Sequence, residues 1–272
     1  MRTTITTSCA AACLLTVSAS YAPAFGQTKP QDVCAKWETT QPARLIEACT
    51  ETIGLDARAA WAYLNRGIAY AATGKADEEL ADYSKAIELD PKLVNAWQNR
   101  GVAHYDRGDF AAAAGDFAHV AGVKKDPYVM LLLYLAGSRS GVATAASDLE
   151  AYARTLGAAG NWPFALFEFY LGKKPVPATL RAAVTKEHRC EAQFYIGGFL
   201  ASANNKASAE RPLRTAAGLC AKDTIEFNSA LAELKRLGFS TTPPKPRPAR
   251  PPAAPSGPQR PSGPPPPSPP AR

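Results

Sequence analysis

The side chains that most often carry out catalysis are few and scattered in this sequence. The three histidines, His104, His119 and His188, are not spaced as companion ligands of a metal ion. The chain has no phosphate-binding Gly-x-x-x-x-Gly-Lys-Ser/Thr loop, no His-Glu-x-x-His motif and no Gly-x-Ser-x-Gly turn. We interpret His104 as a packing residue and the other two as exposed. The sequence therefore predicts no catalytic residue, metal or cofactor, and an enzyme with an unfamiliar site is the alternative.

Cysteine is the second residue type with possible chemistry. Two of the six cysteines lie close to the N-terminus, and the other four are Cys34, Cys49, Cys190 and Cys220. No Cys-x-x-Cys occurs, so two disulfides are favoured over a metal site. Four cysteines allow three pairings. The local one, 34–49 and 190–220, is predicted because each pair would lie side by side in adjacent antiparallel helices. A reactive thiol is the alternative.

Two arginines each precede an aspartate at the same spacing. These are Arg66 with Asp82 and Arg100 with Asp116. If each pair spans a helical hairpin, the spacing brings arginine and aspartate together between the two helices. The pattern favours a structural ion pair in each hairpin over a ligand-binding arginine.

The elements that position these pairs are repeated along the chain. Asn65, Arg66 and Gly67 recur as Asn99, Arg100 and Gly101. The same offset relates Gly74 to Gly108, Asp82-Tyr83 to Asp116-Phe117, and Tyr63 to Trp97. Helical spacing of apolar residues predicts helices over 60–72 and 75–89, with Gly74 at the turn and Pro91 after the exit. Such a hairpin cannot bury its apolar face alone, so hairpins stack.

The repeated residues resemble the tetratricopeptide repeat (TPR) family. Matching positions in the first unit are Tyr63, Gly67, Tyr70, Gly74, Tyr83, Ala86 and Pro91, and in the second Trp97, Gly101, Gly108, Phe110, Ala113 and Phe117. Glu79 departs from the family's alanine, and Pro127 falls slightly late for the end of the second unit. The resemblance implies an all-α, right-handed solenoid of helical hairpins over 27–240, with its clearest repeats at 60–93 and 94–127.

Further helices are predicted on both sides of these repeats. They cover 31–39, 42–55, 128–141, 145–155, 162–171, a short helix from 177, 190–202, 207–221 and 224–237. Residues 162–237, with Tyr170-Leu171-Gly172 and Phe194-Tyr195-Ile196-Gly197, are similar to periplasmic TPR adaptors of the NlpI type, although the chain lacks their lipidated cysteine. That similarity implies tethering of cell-envelope hydrolases or proteases.

In TPR proteins the first helix of each hairpin lines the concave face. Transferred to this chain, the resemblance implies a partner-binding groove made of Asn65, Asn95, Gln98, Asn99, Tyr105, Asp106 and Arg139. Amides and an aromatic ring suit an extended peptide, because they can satisfy its backbone groups. The alternative is that these side chains form an ordinary solvated surface.

The two ends of the chain do not read as globular. The short apolar stretch at about 10–19, followed by Ala22-Pro23-Ala24 and Ala24-Phe25-Gly26, predicts a cleaved signal peptide over 1–26 rather than a stable membrane span. Residues 241–272 hold 15 of the 24 prolines, five basic residues and no acidic one, which predicts a disordered tail. Of the net charge of +7, residues 27–240 carry only +1, so nucleic-acid binding has no support in the domain.

The sequence thus predicts an exported, periplasmic or secreted scaffold for protein or peptide partners, and a homodimer is compatible with it. The alternative function is binding to an envelope polymer, such as peptidoglycan, through the basic tail.

Overall fold

The structure is a computed structural model that describes residues 29–156 and 162–241. Regular secondary structure in these ranges is entirely helical, in 13 helices. The chain divides between Thr155 and Leu156 into two compact units, and each is described by itself. The predicted signal peptide and nearly all of the predicted tail lie outside the described residues.

The first unit contains eight helices. They are α1 (Pro30–Cys34), α2 (Pro42–Leu55), α3 (Ala60–Ala72), α4 (Ala76–Leu89), α5 (Val94–Arg107), α6 (Phe110–Val123), α7 (Pro127–Ser140) and α8 (Ala145–Thr155). Each helix packs against the next in sequence, and α3 also touches both α1 and α5. This is the contact pattern of helical hairpins stacked in a row.

A left-handed glycine closes each of the two clearest hairpins. Gly74 has φ +72° and Gly108 has φ +91°, a conformation that side chains with a Cβ rarely adopt. The following amide nitrogens, of Lys75 and Asp109, donate back to the carbonyl oxygens of Tyr70 and His104. The turns therefore satisfy the last carbonyls of α3 and α5 and start α4 and α6 close to their partners.

The two helices of each hairpin approach closely at a point where a glycine faces an aromatic ring. A Cβ added to Gly67 would lie 2.6 Å from the ring of Tyr83, and one added to Gly101 would lie 2.8 Å from the ring of Phe117. Tyr83 and Phe117 are buried. The close approach that the repeated glycines predict is thus present in both hairpins.

Two boundaries in the first unit differ from the sequence prediction. The helix predicted over 31–39 ends at Cys34, because residues 35–40 form turns. Pro127, which falls late for a repeat end, is instead the first residue of α7. Asp126 caps this helix by accepting from the amide nitrogens of Tyr128 and Val129, so the proline begins a helix where its missing N–H costs nothing.

The second unit contains five helices. They are α9 (Phe164–Tyr170), α10 (Val176–Ala182), α11 (Lys186–Ser202), α12 (Lys206–Leu219) and α13 (Ile225–Arg236). The last three are in mutual contact and form a small bundle. A Cβ added to Gly197 would lie 2.6 Å from Cγ of Leu213, and Asn204, between α11 and α12, has φ +57°. This hairpin therefore repeats the glycine contact and left-handed turn of the first unit.

Candidate partner-binding surface

Arg66 joins three consecutive helices of the first unit. Its Nε and Nη2 donate to the two carboxylate oxygens of Asp82 at 2.7 and 2.8 Å, and its Nη1 donates to the hydroxyl of Thr50 at 3.1 Å. The guanidinium carbon also lies 5.5 Å from the centre of the Tyr63 ring. The Asp82 hydrogen bond is the main reason why the pKa of Arg66 is raised. This arginine is thus committed to structure, not to a ligand.

The same arrangement recurs in the next hairpin. Arg100 donates to both oxygens of Asp116 at 2.9 and 2.8 Å and to the hydroxyl of Ser84 at 3.2 Å. We call Thr50–Arg66–Asp82 and Ser84–Arg100–Asp116 the three-helix bridges. The roles of Thr50 and Ser84 were not predicted from the sequence. Each precedes its arginine by the same spacing that separates the arginine from its aspartate.

Two residues assigned to the groove are instead part of the interior. Asn65 is 7% exposed, and its side-chain nitrogen donates to the carbonyl oxygen of Cys34 at 2.9 Å. Tyr105 is fully buried, with its ring edge-on to Phe110 at 5.5 Å between centroids. Their assignment to a peptide-binding face was wrong, because both side chains point into contacts between helices.

Two further groove residues also make contacts within the unit. Asn99 is half-buried and hydrogen-bonds the hydroxyl of Tyr83. Arg139 is half-buried, with its guanidinium carbon 4.7 Å from the ring centre of Phe110 and 5.5 Å from that of Tyr105. We therefore remove both from the set of residues that a partner would contact first.

The three remaining predicted residues are all on α5. Asn95 is exposed, and Gln98 and Asp106 are half-buried. Trp61, at the position of α3 equivalent to Asn95, is 39% exposed and was not assigned from the sequence, although the offset between the repeats points to it. Because α3 and α5 are in contact, we define Trp61, Asn95 and Gln98 as the α3–α5 face.

The electrostatics of the first unit are unusual at Glu79 on α4. Burial is the main cause that raises the pKa of Glu79 to about 7, and the negative charge of Asp106 adds to it. Burial also raises the pKa of the neighbouring Tyr83 above its usual range. Near neutral pH, Glu79 is thus divided between its neutral and charged forms at the junction of the two hairpins.

The four cysteines form two disulfides with the local pairing. Cys34 and Cys49 are joined with a Cα–Cα distance of 4.8 Å, and Cys190 and Cys220 with one of 5.0 Å. The first links α1 to α2, and the second links α11 to the end of α12. Each disulfide therefore closes a hairpin of its own, and none of these four cysteines keeps a reactive thiol.

The histidines are spread over three separate environments. Nδ1 of His104 lies 3.7 Å from a carboxylate oxygen of Asp109, and His119 stacks on Trp97 with ring centroids 4.0 Å apart. His188 is half-buried and stacks on Trp162, so its assignment as an exposed residue was wrong. Over residues 29–156 and 162–241, no three His, Cys, Asp or Glu side chains are grouped to hold a metal ion, and no helix has the length and apolar character needed to span a bilayer.

Comparison with models of protein families gives a match on the first hairpin. The model of the tetratricopeptide repeat family matches residues 62–93. Residues 62–93 are therefore similar to a tetratricopeptide repeat. The match contains Arg66, Gly67, Gly74, Asp82 and Tyr83, so the Arg66–Asp82 ion pair and one glycine contact lie within the segment that is similar to a TPR.

Two solved structures are similar over most of the chain. One is the APC/C hetero-tetramer Cut9–Hcn1, at 14% identity and TM-score 0.46, where the similarity covers 80% of this chain and 44% of that one. The other is Naa15/Naa10 bound to HypK-THB, at 17% identity and TM-score 0.38, covering 77% of this chain and 28% of that one. The chain spans less than half the length of either. The similarity of residues 162–237 to NlpI-type adaptors stays a prediction.

Proposed function

We propose that this chain is an exported, non-enzymatic scaffold that binds a protein or peptide through the α3–α5 face. The observation that carries the proposal is the TPR hairpin at 62–93, stacked on a second hairpin with the same bridge. The bridges and the glycine contacts fix α3 and α5, while Trp61, Asn95 and Gln98 remain accessible. A rigid face with accessible polar and aromatic side chains is suited to recognition.

The chemistry of the face supports an extended peptide segment as the partner. The amides of Asn95 and Gln98 can each donate to and accept from a peptide backbone. Trp61 supplies a flat apolar surface, of the residue type that is enriched where proteins bind each other. Cell-envelope hydrolases or proteases are the class of partner that the similarity to NlpI-type adaptors suggests.

Export is supported by the pattern of residues 1–26 and by the two disulfides, which persist in oxidising compartments. Fractionation of the producing cell tests this part of the proposal. A protein cleaved after Ala24 or Gly26, found outside the cytoplasm, is expected. A full-length cytosolic protein would contradict it.

Site-specific photo-crosslinking tests the α3–α5 face. A crosslinking amino acid at Gln98 should capture discrete proteins from envelope extract, whereas one at Glu88, on the exposed side of α4, should not. Asn95→Ala/Gln98→Ala should abolish capture by a crosslinker placed at Trp61. Lys85→Ala/Glu88→Ala, which removes an exposed ion pair elsewhere, should leave capture unchanged. Equal capture by crosslinkers at Gln98 and Glu88 would contradict the proposal that the α3–α5 face binds the partner.

A second candidate function, polymer binding, is favoured by the five basic and no acidic residues of 241–272. In that case the full chain sediments with peptidoglycan in a salt-sensitive manner, and a chain ending at Ser240 does not. Sedimentation that is unaffected by truncation would count against it.

A further inference from the structure

Trp162 lies in a cluster of titratable side chains in the second unit. Its indole nitrogen donates a hydrogen bond to a carboxylate oxygen of Glu191, and its ring stacks on His188 with centroids 5.1 Å apart and an angle of 17°. Both partners are on α11, at positions i and i+3 and thus on one side of the helix. Trp162 therefore fastens the segment leading into α9 to α11.

A second carboxylate is brought to the same place by the chain path. Cys190, the neighbour of Glu191, is bonded to Cys220, and the short segment after Cys220 leads into α13. Glu226 is in the first turn of α13, which packs against α11. The disulfide thus holds the beginning of α13 near the part of α11 that carries Glu191, and the charge of Glu191 acts on Glu226.

We propose that Trp162, Glu191 and Glu226 form a pH-sensitive latch, in which ionisation of Glu226 weakens the hydrogen bond that holds Trp162 to α11. Two carboxylates in a half-buried site repel each other when both are charged. The charge of Glu191 strengthens its bond to Trp162 while Glu226 is neutral. When Glu226 is also charged, the pair separates and the geometry of that bond is lost.

The electrostatics of Glu226 support this role. Burial is the main cause that raises the pKa of Glu226, the charge of Glu191 raises it further, and the hydrogen bond to its own backbone lowers it. Along the chain, the other charged or titratable groups near Glu191 and Glu226 are His188, Glu187 and Arg189 on α11, and Lys222 and Asp223 in the segment before α13. The latch is closed at low pH and loosens as pH rises.

The latch acts on one end of α9 only. At the other end, the hydroxyl of Tyr170 donates to the carbonyl oxygen of Tyr195 at 2.9 Å, and neither group belongs to the Trp162, Glu191 and Glu226 cluster. Rising pH should therefore free the start of α9 while its end stays bound. This device is independent of the α3–α5 face, so it goes beyond the function proposed for that face.

Indole NMR of the full chain tests the latch. The chain has four tryptophans, and the Nε1–H signal of Trp162 is identified by its loss in Trp162→Phe. In the wild type, this signal should move in one titration step towards the position of a free indole as pH rises from 5 to 9. In Glu226→Gln it should keep its low-pH position throughout.

Two further variants separate the candidate titrating groups. Glu191→Gln should also abolish the titration step, because it removes the carboxylate that repels Glu226. This variant replaces Glu226→Gln in the test if Glu226→Gln does not fold. His188→Gln should retain the step. A signal that does not move in the wild type, moves equally in Glu226→Gln, or stops moving in His188→Gln would overturn the proposal.

Discussion

At the scale of single residues, Glu79 places a carboxyl group where the TPR signature has a small residue. Its pKa of about 7 means that the folded chain holds a proton there which the unfolded chain releases at about 4.5. Between these values the native state binds more protons than the unfolded state. Stability therefore falls as pH rises through this range, by about 3 kcal/mol for a shift of this size.

Glu79→Gln should remove that pH dependence. We expect the free energy of unfolding of the wild type to fall by about 3 kcal/mol more than that of the variant between pH 5 and pH 8.5. Urea denaturation at the two pH values measures both quantities. Glu78→Gln, a change at the exposed neighbouring glutamate, should follow the wild type. Equal pH dependence in wild type and Glu79→Gln would show that Glu79 titrates normally.

The bridges give a second prediction at this scale. Asp82→Ala leaves the guanidinium of Arg66 without its carboxylate in a largely buried site, which costs about 3–5 kcal/mol. Arg66→Met/Asp82→Leu should recover most of this loss, because both charges are removed. The matched control is Glu88→Ala, which breaks the exposed pair with Lys85 and should cost below about 1 kcal/mol. Similar losses for both single variants, by thermal or urea unfolding, would contradict a structural role for the bridge.

Residue-scale prediction from sequence succeeded where spacing alone determines the contact. The common spacing placed both arginines beside their aspartates, since it is the distance across one hairpin. It failed for Asn65 and Tyr105, because a position on a first helix does not fix the direction of a side chain. Asn65 donates a hydrogen bond to the carbonyl oxygen of Cys34, a residue 31 positions away. No local sequence pattern predicts a hydrogen bond between residues so far apart in the chain.

At the scale of the hairpin, the glycine contacts predict opposite effects for two glycine substitutions. Gly67→Ala brings a methyl group against the ring of the buried Tyr83 and should destabilise the chain by about 1–3 kcal/mol. Gly115→Ala, inside α6 where an added Cβ meets nothing within 4 Å, should stabilise it by up to about 1 kcal/mol. Thermal unfolding of both variants gives the comparison. A stabilising Gly67→Ala would mean that the two helices are farther apart.

The helix pairs could be predicted in both units, but the turn and the close contact inside a hairpin could be predicted only where the full repeat signature marks them. The turn at Gly74 is visible in the sequence, but the left-handed turn at Asn204 is not, since asparagine usually has no such requirement. In the α11–α12 hairpin, the contact of Gly197 with Leu213 has the spacing of Gly67 with Tyr83. An aliphatic side chain replaces the aromatic one, so this contact does not match the repeat signature, although the two helices and their pairing were predicted.

At the scale of the whole molecule, the disulfides predict a defined covalent map. Protein purified without reductant should yield two linked peptide pairs on digestion, 34 with 49 and 190 with 220, identified by mass spectrometry. Loss of the first bond, in Cys34→Ala/Cys49→Ala, should cost about 3 kcal/mol because it closes a loop with a sequence separation of 15. Crossed pairing between the two units, or free thiols at these positions, would contradict the map.

The three-helix bridges also bear on how such a chain can become longer. Each bridge takes its hydroxyl from one hairpin and its arginine and aspartate from the next, so its parts recur once in every repeat. A tandem duplication of residues 51–84 would leave every arginine with both partners: Thr50 would serve the first copy, and the Ser84 of each copy would serve the arginine that follows. Lengthening the chain by whole repeats therefore leaves no arginine without its partners. An insertion of any other length between a hydroxyl residue and its arginine would break that bridge.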